Sequence, residues 1–160
     1  MTMARAMAAA AAIAMAMGPA VAQTTPSAAV SYCADLKQVA ALALAEGRFA
    51  PVAGPVREGS FTATTLPLTG WMDCSLYGSA TYTCDTQDVP SAGDAEKMQA
   101  RIIDEILSCF AGSWLQILDR SSSGYAVLHP AKGSASITLS VDETDSKRFV
   151  VRLSLFVRRN

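Results

Sequence analysis

One histidine, His129, is all this chain of 160 residues has. That scarcity removes much hydrolytic and metal chemistry at once. Zinc takes three or four protein ligands, and one imidazole beside cysteines destined for disulfides cannot supply them. Histidine-driven nucleophilic sites would all have to pass through His129, which sits before Pro130 and reads as a strand-end residue. No Gly-x-Ser-x-Gly elbow, Ser-x-x-Lys pair, His-Glu-x-x-His or Cys-x-x-Cys occurs, and no glycine-rich phosphate loop. No metal and no cofactor are therefore expected. Asp142-Glu143-Thr144-Asp145 lacks the length and spacing of a calcium loop and reads as a solvated turn.

Excess charge is lacking too. The formal balance is −1, too small to point to nucleic acid or an anionic membrane as a partner. Nor is there an apolar stretch of the roughly 20 residues that a membrane-spanning helix needs. The one apolar segment near the start, Ala6–Met17, is short and mostly alanine.

That segment has another reading. Arg5, the alanine- and methionine-rich run, the helix-breaking Gly18-Pro19 and the small residues of Ala20-Val21-Ala22 form a secretory leader. Cleavage is expected before Gln23, so residues 1–22 are a signal peptide, 23–30 a disordered linker and 31–160 a single domain. Lipidation of Cys33 does not fit, because bulky Tyr32 precedes it, far from the apolar run. No integral membrane segment is expected to remain. A domain this long supports one hydrophobic core, and export makes Cys33, Cys74, Cys84 and Cys109 candidates for two disulfides that add to it.

Ser31 can cap a first helix over 32–46, with Cys33, Leu36, Ala40, Ala43 and Leu44 on one face and Gly47 as its stop. Residues 48–60 read as a loop packed down by Phe49 and Val56. Phe61–Leu68 is β-like, but Pro67 makes it an edge strand or an irregular lead-in. Trp71–Tyr77 and Thr81–Cys84 form a hairpin. A three-residue loop centred on Ser79 pairs Leu76 with Tyr82 and Cys74 with Cys84, on the same face as Met72. Ser91 caps a second helix over 92–111, whose stripe is Ala95, Met98, Ile102, Ile106, Cys109 and Phe110. Only strands follow, at 114–119, 125–129, 134–141 and 149–157. In the last two, Ala135, Ile137, Leu139 and Val141, then Phe149, Val151, Leu153, Leu155 and Val157, point inward. The fold class is α+β. The order is α-β-β-α-β-β-β-β, with two helices packed on one face of an antiparallel sheet.

Chain entropy does not choose the cysteine pairing. Cys33–Cys109 with Cys74–Cys84, and Cys33–Cys74 with Cys84–Cys109, each sum to about 7 kcal/mol. The hairpin register favours the first, because it sets Cys74 opposite Cys84 within bridging reach.

Aromatic and basic surface is the remaining lead. Trp71 and Tyr77 fall on the hairpin's outward face, and Phe156 lies between Arg152 and Arg158 on the last strand's outward face. Such residue types anchor interfaces. The last strand can also offer a sheet edge for strand addition. These features converge on an exported, disulfide-stapled envelope protein of bacterial type, periplasmic or secreted. It reads as a non-enzymatic binding module for a protein or a cell-wall component. One alternative is an inhibitor of a secreted hydrolase, lysozyme or protease, acting through Ser121–Gly124. Another is a small hydrolase using Asp73 and Asp85, which share the hairpin's outward face.

Overall fold

The computed structural model describes residues 30–120, 125–130, 133 and 135–157. The segments expected as leader and linker, up to residue 29, the candidate inhibitory segment Ser121–Gly124 and Arg158 lie outside the described residues. Helix α1 spans Cys33–Leu44 and α2 spans Ala92–Cys109. The strands are β1 Ala53–Val56, β2 Phe61–Thr64, β3 Met72–Tyr77, β4 Thr81–Asp85, β5 Trp114–Arg120, β6 Tyr125–Pro130, β7 Ala135–Glu143 and β8 Phe149–Val157. They form one antiparallel sheet in the order β1-β2-β3-β4-β8-β7-β6-β5.

That order corrects the sequence reading in two ways. Two strands precede the hairpin, where the reading allowed at most one edge strand over 61–68, so each helix leads a four-stranded meander and the chain reads α-ββββ-α-ββββ. The two meanders then join through β4 and β8, which puts the last strand at the centre of the sheet. It offers no edge for strand addition. The edges are β1 and β5. The stretch 48–60 hides β1 because a Gly-Pro pair is a poor strand signal. Pro55 is tolerated on an edge, and Gly54 suits a close approach of the two backbones. A Cβ at Gly54 would stand 3.1 Å from the Ala63 carbonyl oxygen across the β1–β2 pair. Phe49 is buried as expected, whereas Val56 is 72% exposed.

Both helices lie against β7 and β8. Cys33–Cys109 joins α1 to α2, with Cα atoms 5.5 Å apart, and Cys74–Cys84 crosses the β3–β4 hairpin at 4.0 Å. Leu36, Val39, Ala40 and Ala43 of α1 and Ile102 and Ile106 of α2 are buried in one core. Ile137 and Leu139 of β7 and Val151, Leu153 and Leu155 of β8 complete its centre. Gln99 is the polar residue of α2 inside this layer, and its Nε2 donates to the Leu139 carbonyl at 2.9 Å. No described helix is long and apolar enough to cross a membrane.

The helix starts differ. Ser91 caps α2: its hydroxyl oxygen accepts from the Asp94 N–H at 3.2 Å and its own proton goes to the Asp94 carboxylate at 2.7 Å. Ser31 does not cap α1, whose N-cap is Tyr32 with no side-chain bond. Ser91→Ala should therefore lower stability by about 1 kcal/mol, the usual cost of losing such a cap. A urea midpoint unchanged by that substitution would contradict it.

Two buried phenols make a pH prediction. Burial first, then the hydrogen bond to Glu105, pushes the Tyr32 hydroxyl well above its ordinary value. Burial and the charge of Asp35 push Tyr82 up likewise. The folded state thus holds these protons where the unfolded chain releases them, so stability falls as pH rises past about 10. Tyr82→Phe should flatten that alkaline loss in a pH series of thermal melts.

Candidate binding groove

The face of the sheet turned away from the core is built by strand parity. Residues two apart on a strand share a face, and register lines them into rows across β2, β3, β4 and β8. Phe61 pairs with Tyr77, Tyr77 with Thr81, and Thr81 with Phe156. One step along, Ser75 pairs with Thr83 and Thr83 with Ser154. The next step pairs Asp85 with Arg152. A groove of about 520 Å³ opens over these rows, and Arg57, Glu58 and Asp73 also line it.

Its polar end is a fixed ion cluster. Arg152 Nε and Nη2 donate to the two oxygens of Asp85 at 2.7 and 2.9 Å, a bidentate fork, and Nη1 reaches Asp142 at 3.1 Å. The hydrogen bonds to Asp85 hold the guanidinium above its ordinary pKa, against its partial burial. Its apolar end is the Phe61–Tyr77 pair, with ring centroids 5.3 Å apart and 44% and 54% exposed. Exposed aromatic pairs beside a rigid polar cluster are the kind of surface that anchors partners.

Of the five residues singled out in the sequence, Tyr77 and Arg152 meet in this groove. Phe156 lies on the same face, in register with Thr81. Trp71 does not join them. It packs edge-on against Tyr32 at 5.6 Å, beside the helices, where the Tyr32 hydroxyl donates to Glu105 at 2.8 Å. The cause is a register shift between Met72 and Ser75, with Asp73 at φ 44°. A bulge of this kind breaks the alternation by one residue. Counting by twos from Tyr77 back to Trp71 therefore gives the wrong side. For the same reason Met72, expected inward, is 54% exposed. Sequence reasoning placed Phe61 in a β-like stretch, an edge strand or an irregular lead-in, and missed it as a site residue; β2 lies between β1 and β3 and is not an edge. The pairing of Phe61 with Tyr77 depends on β2 joining β3, which no local pattern announces.

The catalytic readings gain little. Asp73 and Asp85 both line the groove, but both oxygens of Asp85 already accept from Arg152. Ser136 Oγ lies 2.8 Å from His129 Nδ1, yet Ser136 is fully buried and its hydroxyl cannot meet a substrate. In the β7–β8 hairpin the Glu143 carboxylate is 3.1 Å from Lys147 Nζ. Among the described residues no three metal-ligating side chains cluster. The chain matches no family model, no curated protein and no solved structure.

Proposed function

We propose that the chain is an exported, disulfide-stapled binding module of a bacterial-type envelope, periplasmic or secreted, that acts without catalysis. Its contact surface is the groove over β2, β3, β4 and β8. The observation that carries this reading is the conjunction in one concavity of an exposed aromatic pair, Phe61 and Tyr77, with a guanidinium held rigid by two carboxylates. Rigidity matters because a preorganised side chain loses little entropy on binding. The helices and both disulfides serve as scaffold for that face.

The test is affinity capture from periplasm or culture medium with mass spectrometry, using the oxidised chain and its Tyr77→Ala variant. Exposed tyrosines at such centres are worth about 2 kcal/mol or more to binding. The variant should therefore lose roughly thirtyfold in affinity for whatever the parent captures. Its thermal midpoint should stay close to the parent's, because the ring lies outside the core. Equal capture by parent and variant would remove the groove as the contact surface.

A further inference from the structure

We infer that the occupant of the groove is a neutral, extended glycan chain, an inference that rests on the groove being the contact surface. Three features of the lining point to it. The first is a row of hydroxyls. Ser75, Thr83 and Ser154 are successive register partners on β3, β4 and β8, so they stand one strand spacing apart, about 4.8 Å. That is close to the length of one pyranose in an extended β-linked chain. Thr83 Oγ1 donates to the Leu153 carbonyl at 3.1 Å and lies 3.3 Å from Ser154 Oγ. With the Thr83 proton committed to that carbonyl, Ser154 is the donor of the pair, and its own lone pairs are left to accept from the hydroxyls of a sugar.

The second feature is the aromatic pair at one end of the rows. A pyranose has hydroxyl edges and an apolar C–H face, and the groove offers both counterparts: the hydroxyl floor and the exposed rings of Phe61 and Tyr77. The third is charge. Two arginines face three carboxylates in the lining, and Arg152 is already committed to Asp85 and Asp142. A polyanion would meet no net attraction here. Neutral hydroxyls can still bond to the planar Arg152–Asp85 fork, since three of the guanidinium's five N–H donors serve these carboxylates. A protein partner fits less well. Stable protein interfaces bury about 800 Å² per side around an apolar centre. This site is a small concavity, of a volume typical of small-ligand clefts, with a polar floor.

Co-sedimentation of the full oxidised chain with chitin and cellulose, both uncharged polymers, tests this. Calorimetric titration with soluble chitohexaose and cellohexaose accompanies it. Retention by at least one polymer is expected, and it should persist at about 0.5 M salt, where exposed charge attraction is screened. Tyr77→Ala and Ser154→Val should each weaken it by about tenfold or more, with unchanged thermal midpoints. Retention by neither polymer, with no heat from either hexasaccharide, overturns the glycan assignment. If the parent then captures a protein that Tyr77→Ala does not, the groove survives as a contact surface and only its ligand class falls. Glycan retention that persists in both variants overturns the groove itself.

Discussion

Replacing Cys33 and Cys109 together by alanine is expected to cost about 4.5 kcal/mol of stability, from the loop-closure entropy of a 76-residue separation. Replacing Cys74 and Cys84 should cost about 2.8 kcal/mol, because that bridge closes a separation of only 10. The total stability of a domain is about 5–15 kcal/mol, so the first loss removes a large share of it and lowers the thermal midpoint on the order of 15 °C. The order of the two effects matters as much as their size. The long bridge ties α1 to α2 across everything between them, whereas the short one spans a hairpin already held by its own ladder. Urea unfolding of the two double variants, each against the oxidised parent, measures both. An equal or smaller loss for the Cys33 and Cys109 pair would show that α1 and α2 are held together without it.

Leu153→Ala is expected to cost about 3–5 kcal/mol. Leu153 is fully buried on β8, and β8 lies between β4 and β7 with both helices against it. Truncation there leaves a cavity where the two meanders and the helical layer meet, so little can collapse into it. Leu115 on the edge strand β5 is the contrast. It is exposed, and Leu115→Ala should change stability by no more than about 0.5 kcal/mol. Denaturant curves of the two variants compare a central strand with an edge. A loss under about 1 kcal/mol at Leu153 would be the behaviour of a peripheral strand and would contradict the sheet order.

The sequence announced those parts of the fold whose signals are local. Ser91, the stripe from Ala95 to Cys109 and Gly112 marked α2 within a few residues. The alternation through Ile137 and Leu139, and through Val151, Leu153 and Leu155, gave both the strands and their inward faces. The Leu76–Tyr82 register followed from a short loop. What stayed hidden was either non-local or locally disguised. The β4–β8 pairing joins residues about 70 apart, such as Thr83 and Ser154, and no periodicity encodes which strands become neighbours. β1 is Ala-Gly-Pro-Val, a composition that reads as loop and is usable only at an edge. The bulge at Asp73 is a single departure from a two-residue rhythm, yet it moved Trp71 to the helical side and so divided the expected aromatic stripe. The groove was half legible for the same reasons. Tyr77 and Arg152 were visible as outward residues of good strands, while Phe61, Ser154 and Asp142 became relevant only once β2, β4, β7 and β8 were assembled.

Everything proposed for this protein depends on one covalent framework formed outside the cytosol, so mapping that framework is the most direct check. The chain would be purified unreduced from envelope or medium and digested with trypsin together with chymotrypsin. Trypsin alone leaves Cys74 and Cys84 in one peptide between Arg57 and Lys97, and cleavage at Tyr77 separates them. The expected map has an N-terminus at Gln23, one linked pair carrying Cys33 and Cys109, and a second carrying Cys74 and Cys84. Material that retains Met1 and four free thiols, or that links Cys33 to Cys74 and Cys84 to Cys109, would contradict it.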